Sequence, residues 1–236
     1  GKTTFCKYEN DPTPSITARP GGVFSADSML LLDSCTGTID LFASASGTHQ
    51  AYYTPLTAFA QLGQDIDGEA AGDQSGWSVS MNDAGDRMAI GAPYNDGNGS
   101  NAGHVSIYSW NNSSWTPLGA DIDGEEGGDK FGHSVSMNAA GDRLAIGTPY
   151  NDGGGSNAGH VRIYTWDGSS WTQMGADIDG EAANDESGYS VSMNDAGDRV
   201  AIGARYNDGY SSNAGHVRIY TWDGSSWTQM GADIDG

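Results

Sequence analysis

Long apolar runs are absent from this sequence, and its apolar residues occur in short alternating stretches. A membrane-spanning helix needs about 20 consecutive, mainly apolar residues, so no such helix and no membrane insertion are predicted. Amphipathic helical patterns of useful length are also missing, and only 7 of the 236 residues are proline. Because glycine is abundant instead, at 36 residues, the composition indicates a turn-rich β-protein rather than a collagen-like or disordered chain.

Positively charged residues are scarce. The sequence has 10 lysine and arginine residues and 31 aspartate and glutamate residues, which gives a net charge of −21. A field of that sign repels nucleic acids and anionic membranes, so neither is expected as a partner. The charge suits cations, a saline medium or plain solubility, and a solvated acidic surface is the simplest interpretation.

Cysteine is nearly absent, and the two residues present are Cys6 and Cys35. They form a disulfide if the compartment is oxidising, and they are two free thiols otherwise. The sequence starts at Gly1 without a methionine or an apolar signal core, so a secreted form would already have lost its signal peptide.

An internal repeat organises the rest of the sequence. A Gly-x-Asp-Ile-Asp-Gly signature begins at Gly63, Gly119, Gly175 and Gly231, so the repeat length is 56 residues. The predicted organisation is an extended arm (1–20), a degenerate repeat (21–62), repeat 1 (63–118), repeat 2 (119–174), repeat 3 (175–230) and the start of a further repeat or a closing strand (231–236). Atypical terminal copies are common in repeat proteins, because one side lacks a neighbour.

Each repeat carries four strand signals separated by turn residues, which in repeat 2 cover 133–137, 143–147, 160–166 and 171–174. Along the second of these strands, Leu144 and Ile146 point to one face, and Ala145 and Gly147 point to the other. Sheets with one bulky and one small face can stack on one another with little void. The predicted fold class is therefore all-β, a propeller-like array of four-stranded antiparallel blades, either closed or open.

Three segments of repeat 2 carry a resemblance to a known family: Phe-Gly-His-Ser-Val at 131–135, Leu-Ala-Ile-Gly-Thr-Pro at 144–149 and Gly-His-Val-Arg-Ile-Tyr at 159–164. Together they resemble the FG-GAP repeat, the blade unit of integrin-α-type β-propellers. The whole unit is similar to tandem repeats in secreted proteins of marine bacteria and microalgae. The resemblance implies a propeller fold and an extracellular or cell-surface location, which would favour the Cys6–Cys35 disulfide.

FG-GAP blades often carry a calcium loop of the form Asp-x-Asp-x-Asp-Gly-x-x-Asp between their first two strands. Here the corresponding segments are only Asn-Asp-Ala-Gly-Asp at 82–86 and Asn-Ala-Ala-Gly-Asp at 138–142. Too few carboxylates remain for the six to eight oxygen ligands of calcium, so the usual family site is not expected.

The linkers between repeats hold the best remaining candidates for a calcium site. Carboxylates alternate there at relative positions 1, 3, 5 and 9, near a glycine: Asp65, Asp67, Glu69 and Asp73; Asp121, Asp123, Glu125 and Asp129; Asp177, Asp179, Glu181 and Asp185. Alternate oxygen ligands on a looping backbone suit a hard cation such as calcium, which is a possible but not a required cofactor. The alternative is a linker whose aspartates cap turns.

The other recurring residues each have a structural interpretation and a functional one. His104, His160 and His216 recur once per repeat and are expected to be hydrogen-bonded spacers rather than metal ligands. The tryptophan pairs Trp110/Trp115, Trp166/Trp171 and Trp222/Trp227 fit cross-strand packing, with sugar stacking as the alternative. Asn98, Asn111 and Asn112 begin N-glycosylation sequons on predicted loops, which matter only in a glycosylating secretory pathway.

Catalysis is disfavoured by the repetition itself, so the chain is not expected to be an enzyme. A nucleophile and a base are needed once per site, whereas every candidate serine, histidine and aspartate recurs in each repeat. The first hypothesis is a secreted structural or adhesive protein that contacts copies of itself, other extracellular proteins or glycans, and self-assembles into a filament by head-to-tail contacts. The second is a calcium-dependent ligand- or glycan-binding propeller.

Overall fold

The computed structural model describes residues 3–6, 23–26, 48–54 and 61–236, and the chain divides into two compact units, Gly1–Gln61 and Leu62–Gly236. In the first unit β1 (Thr3–Cys6), β2 (Val23–Ala26) and β3 (Thr48–Thr54) form an antiparallel sheet with β3 in the centre. The predicted arm therefore contributes a paired strand. Cys35 and the segments 28–33 and 37–42, on which the degenerate repeat was predicted, lie outside the described residues.

The second unit consists of three sheets, one for each repeat, and no helix occurs among its residues 62–236. The first sheet contains β4 (Ser78–Met81), β5 (Arg87–Ala92), β6 (His104–Trp110), β7 (Trp115–Pro117) and β8 (Ile122–Asp123). The second contains β9 (Ser134–Met137), β10 (Arg143–Thr148), β11 (His160–Trp166), β12 (Trp171–Gln173) and β13 (Ile178–Asp179). The third contains β14 (Ser187–Met193), β15 (Arg199–Ala204), β16 (His216–Trp222), β17 (Trp227–Gln229) and β18 (Ile234–Asp235).

The four-stranded antiparallel blade predicted for each repeat is confirmed, with the strands paired in chain order. A fifth strand was missed in every sheet. Residues Ile122–Asp123 come from the linker after repeat 1 and pair with Val105 and His104 of β6, and the other two sheets repeat this pairing. A two-residue strand is too short to produce a periodicity signal in a sequence.

The predicted stacking of a bulky face on a small face is also confirmed. On β10, Leu144 and Ile146 pair with the bulky β9 residues Met137 and Val135. These four side chains form one buried cluster with residues of the preceding sheet, including Ile107. The second junction has the same construction, since residues of the third sheet pack with Ala145, Val161 and Ile163 of the second.

The small face is less uniform than the alternation on β10 suggested. Its small residues lie on the first two strands, where Ala145 pairs with Ser136 and Gly147 with Ser134. The third strand adds Val161 and Ile163 to the same face. The face therefore has a half with small side chains and an apolar half, and the next sheet contacts both.

Close backbone contact occurs where a glycine of one sheet enters the small face of the sheet before it. We call Gly76, Gly132 and Gly188 the docking glycines. The Gly132 carbonyl accepts a hydrogen bond of 2.7 Å from Ser78 Oγ, and a Cβ on Gly91 would lie 2.1 Å from that carbonyl oxygen. All three docking glycines have positive φ, between 82° and 87°, which favours glycine at this turn.

Side chains and turns add the same polar contacts to both junctions. Met137 N donates to Ser80 Oγ at 2.9 Å, and the Arg87 guanidinium donates to the Gly141 carbonyl at 3.0 Å. The second junction repeats these contacts one repeat later. Apolar burial thus supplies the attraction, and these polar contacts select one register for the stack.

The three sheets stack in chain order as an open array. Val79 on the first sheet is 60% exposed, whereas its equivalent Val135 on the second sheet is 9% exposed. On the third sheet Ile234 is 57% exposed, whereas Ile178 on the second is 5% exposed. Among residues 62–236, the second sheet is therefore covered on both faces, and the first and third sheets each have one face that no other sheet of this unit covers.

Candidate functional site

The uncovered face of the third sheet presents the surface that receives a neighbouring sheet elsewhere in the chain. We call it the small-face end, formed by Ser190, Gly203, Val217 and Ile234. These residues line part of a groove of about 500 Å³. Val217 is 37% exposed here, while Val161, at the same position in the second sheet, is fully buried. The groove is therefore lined by equivalents of the residues that contact the following sheet at the second junction.

The groove also contains a preformed acceptor pocket for a docking glycine. At the second junction, Ser134 Oγ donates to the Gly188 carbonyl at 2.8 Å, and a Cβ on Gly147 would meet that oxygen at 2.0 Å. On the third sheet, the only atom closer than 3 Å to a Cβ on Gly203 would be Ser190 Oγ, among the residues the structure describes. Gly203 and Ser190 thus correspond to Gly147 and Ser134, but no backbone carbonyl of the described residues occupies the space between them.

The uncovered face of the first sheet presents the complementary surface. We call it the bulky-face end, formed by Gly76, Trp77, Val79 and Met81. Its large side chains are about half exposed, since Trp77 is 48% and Met81 is 50% accessible. A Cβ on Gly76 would meet no atom of the described residues within 4 Å, whereas one on Gly132 would lie 2.6 Å from the His104 carbonyl oxygen. This docking glycine is free where the other two are engaged.

In none of the described linkers do all four carboxylates predicted for calcium meet at one point. The last in each linker is buried and accepts a hydrogen bond from an asparagine of its own repeat: Asp73 from Asn95, Asp129 from Asn151 and Asp185 from Asn207. Burial, more than any other influence, raises the pKa of Asp129 above its ordinary value. Asp65, Asp67, Asp123 and Asp179 are exposed.

Instead, linker carboxylates gather around three buried histidines. The first cluster contains Glu69, His104 and Asp121, and one ligand atom from each lies within 4.8 Å of the others. The cluster around His216, with Glu181 and Asp233, likewise combines two linkers, whereas the one around His160 contains Asp177 and Asp179 of a single linker. The fifth strand explains the geometry, because its pairing brings the following linker alongside the buried histidine.

An arginine compensates the carboxylates in the second and third clusters. The Arg162 guanidinium donates to both oxygens of Asp177 at 2.9 and 2.7 Å and forms an ion pair with Glu125. Burial alone would raise the pKa of Asp177, but the hydrogen bonds and charge of Arg162 hold it below its ordinary value. In repeat 3, Arg218 lies 3.4 Å from Glu181. The clusters act in these repeats as internal ion pairs.

The short loop between the first two strands is closed by its own hydrogen bonds. Asn82 Oδ1 accepts from the backbone N–H groups of Asp86 and Arg87, and its Nδ2 donates to the Asp86 carboxylate at 2.8 Å. The equivalent loops of repeats 2 and 3 repeat this pattern. The Asn82 amide group thus holds this turn closed.

The tryptophan pairs pack across strands and also join successive repeats. Trp166 and Trp171 face each other in register, with ring centroids 5.5 Å apart. Trp171 Nε1 donates to the Leu118 carbonyl of repeat 1 at 2.9 Å. This arrangement gives the rings a structural role, and the same contacts recur at Trp115 and Trp227.

The three sequon asparagines lie on exposed turns. The Asn98 amide donates to the Gly124 carbonyl at 3.1 Å, and Asn111 Oδ1 accepts hydrogen bonds from the Ser113 and Ser114 backbone. Asn112 occupies the left-handed region, with φ of 73°. Glycosylation at these positions stays a prediction.

An aromatic column runs across the junctions beside the docking glycines. His133 lies between Trp77 and Tyr189, at ring-centroid distances of 5.6 and 4.6 Å. Its Nδ1 is buried and has no hydrogen-bond partner in the described part of the chain. Burial lowers the pKa of His133, and the positive charges of Lys130 and Arg205 lower it further.

This pKa shift predicts a pH-dependent loss of stability. An unfolded histidine titrates near about pH 6.5, and the folded state resists protonation, so the stability that neutral His133 provides is lost as the pH falls through that value. We expect the free energy of unfolding to fall by at most about 1.4 kcal/mol per pH unit on its account. Urea titrations of wild type and His133→Tyr between pH 7.5 and 5.5 test this, since repeat 3 carries tyrosine at the equivalent position. Parallel pH profiles for the two proteins would contradict it.

The model of the FG-GAP repeat matches residues 66–108 and 121–164, which are the first three strands of repeats 1 and 2 with the preceding linker. No curated protein matches the sequence.

Solved structures with a similar arrangement have 9–10% sequence identity to this chain. Hydrazine synthase from Kuenenia stuttgartiensis matches 75% of this chain and 41% of its own, with a TM-score of 0.43. The β-propeller domain of the trilobed protease from Pyrococcus furiosus matches over 67% and 41%, with a TM-score of 0.41. A putative 6-phosphogluconolactonase from Bacteroides uniformis matches over 91% and 68%, with a TM-score of 0.48. The chain thus spans about 41% of the first two of these structures.

Proposed function

Since this chain carries FG-GAP repeats, which mediate protein–protein contacts in general, we propose that it is a secreted structural protein whose copies assemble head to tail into filaments. The bulky-face end of one copy would bind the small-face end of the next. The observation that carries the proposal is that residues 62–236 expose both halves of a blade junction, the bulky face on the first sheet and the small face on the third.

Complementarity of the two ends supports a second copy as the partner. The internal junctions bury Val135 and Met137 against the preceding sheet, and the bulky-face end offers Val79 and Met81 at the same positions. The docking Gly76 would place its carbonyl on Ser190, as Gly188 does on Ser134. An interface between different surfaces is heterologous and extends into a filament when the rotation does not close.

The proposal involves no catalytic step and no required cofactor. The internal junctions consist of apolar side chains and direct hydrogen bonds between protein groups. A copy-to-copy junction of the same kind would form in the presence of a chelator. Secretion and an adhesive role belong to the same proposal, because filaments of an acidic β-sheet repeat protein suit an extracellular matrix or surface.

Electron microscopy and light scattering of the full chain at increasing concentration test the proposal. We expect filaments whose mean length grows with concentration, with and without EDTA. A monodisperse monomer over the whole range, or a closed dimer, would refute head-to-tail assembly.

Variants on the small-face end locate the interface. In Gly203→Ala, the new Cβ fills the position of the docking carbonyl, and an overpacking cost of about 1–3 kcal/mol raises the concentration needed for assembly about 5- to 150-fold. Val217→Asp places a charge on the same face and should block assembly. Ala196→Asp is the matched control, because Ala196 lies in an exposed turn and its equivalent Ala140 stays exposed in the doubly covered repeat 2. Equal assembly by all three variants would show that the contact lies elsewhere.

A further inference from the structure

Repeat 1 differs from the other two repeats at one buried position of the histidine–carboxylate cluster. Repeats 2 and 3 carry Arg162 and Arg218 on their third strand, and repeat 1 carries Ser106 there. Glu69 and Asp121 therefore lack the guanidinium that their equivalents have. Within the described residues, no lysine or arginine forms an ion pair with either carboxylate.

The histidine of this cluster is buried, and neither of its ring nitrogens forms a hydrogen bond among the described residues. His104 has 6% of its side chain exposed, and its Nδ1 points toward Glu69 Oε2 at 4.0 Å, which is too long for a hydrogen bond. A buried imidazole normally has a partner for its polar atoms. Here the imidazole lies beside two carboxylates, and a cation between the three groups would satisfy all of them.

The negative charge of the two carboxylates also affects the neighbouring Tyr108. The pKa of Tyr108 is raised first by burial and then by the charges of Asp121 and Glu69. In repeat 2, the charge of Arg162 works against the raised pKa of the equivalent Tyr164. Repeat 2 thus has a positive charge beside its tyrosine and carboxylates, and repeat 1 has none at the equivalent position.

We propose that Glu69, His104 and Asp121 bind a divalent first-row transition-metal ion in repeat 1. One imidazole nitrogen and two carboxylate oxygens are ligands that Zn²⁺ accepts at about 2.0–2.2 Å, with water completing the coordination. The three ligand atoms already lie within 4.8 Å of one another, so binding needs small side-chain adjustments rather than a backbone change. The nitrogen ligand and the small number of oxygens disfavour Ca²⁺, which takes six to eight oxygen ligands.

The bound ion would join the two linkers that flank repeat 1. Glu69 belongs to the linker before the sheet, Asp121 to the linker after it, and His104 to the central strand between them. Arg162 makes the equivalent connection in repeat 2 by contacting both Glu125 and Asp177. The metal ion in repeat 1 would thus neutralise the linker carboxylates that an arginine neutralises in repeats 2 and 3.

Calorimetric titration of the full chain with Zn²⁺, after treatment with a chelator and its removal, tests the proposal. We expect one site per wild-type chain, an increase in the melting temperature on binding, and no equivalent step with Ca²⁺. His104→Ala and Ser106→Arg should each remove the site, the second by supplying the guanidinium found in the other repeats. Arg162→Ser should add a second site around His160, raising the stoichiometry from one to two.

These variants separate a built site from diffuse binding to an acidic surface. Diffuse binding is insensitive to single substitutions and would give the same isotherm for every variant. A wild-type titration without a one-to-one step, a step that persists in Ser106→Arg, or an unchanged stoichiometry in Arg162→Ser would overturn the proposal.

Discussion

Gly147→Ala is expected to destabilise the second unit by about 3 kcal/mol, the upper part of the usual range for overpacking. The added Cβ would lie 2.0 Å from the Gly188 carbonyl oxygen and 2.9 Å from its carbon. Both are backbone atoms of the next sheet, and they can move only if the junction opens. Urea denaturation followed by tryptophan fluorescence measures the loss.

Gly203→Ala is the matched control for this prediction. Gly203 occupies the same strand position one repeat later, but its new Cβ would meet only Ser190 Oγ at 2.4 Å, and the next nearest atoms are 3.8 Å away. A serine hydroxyl can rotate away, so the free energy of unfolding of the single chain should change by less than about 0.5 kcal/mol. Equal losses in the two variants would mean that the strand itself, rather than the junction, rejects alanine.

Phe131→Ala is expected to cost about 3–5 kcal/mol, as for other buried phenylalanines replaced by alanine. Phe131 is 1% exposed and packs in the first junction among Val105, Ile107 and Tyr164, with the Tyr164 ring edge-on at 6.4 Å. Its loss would leave a cavity between two sheets whose backbones are held by the hydrogen bonds around the docking glycine.

Val79→Ala provides the comparison for the phenylalanine variant. Val79 is 60% exposed on the bulky-face end, so truncation should change the free energy of unfolding of the single chain by less than about 0.5 kcal/mol. Chemical denaturation of both variants at low protein concentration, where copies do not assemble, gives the two values. A loss below about 1 kcal/mol for Phe131→Ala would contradict the role given to the first junction.

The blade pattern could be predicted from the sequence because it depends on local alternation. Leu144 and Ile146 point away from Ala145 and Gly147 in any extended strand, and the spacing of turns fixes four strands per repeat. That two such faces stack follows from volume alone. Repetition strengthened every one of these inferences, since the same pattern occurs three times.

The candidate sites depended on contacts between residues far apart in sequence. The linker carboxylates were predicted to meet within one linker, but the two-residue strand Ile122–Asp123 carries Asp121 to the His104 of the preceding sheet. No periodicity signals so short a strand, so the sequence did not indicate that Asp121 and His104 are neighbours. The difference between Ser106 and Arg162 was visible in the sequence, but its meaning required knowing which carboxylates the arginine contacts.

The sequence by itself determined the repeat length, the all-β class and the two unlike faces, because these follow from the order of large, small and turn-forming residues. The tertiary structure alone decided that the array of repeats 1 to 3 is open. It also decided which face the first and third sheets expose, and which carboxylates lie beside the buried histidines. The physical reason is that sequence alternation acts over neighbouring residues. Packing between repeats, whose equivalent residues are 56 positions apart, places a docking glycine on the next sheet and a linker beside a buried histidine. The local sequence pattern does not encode this packing.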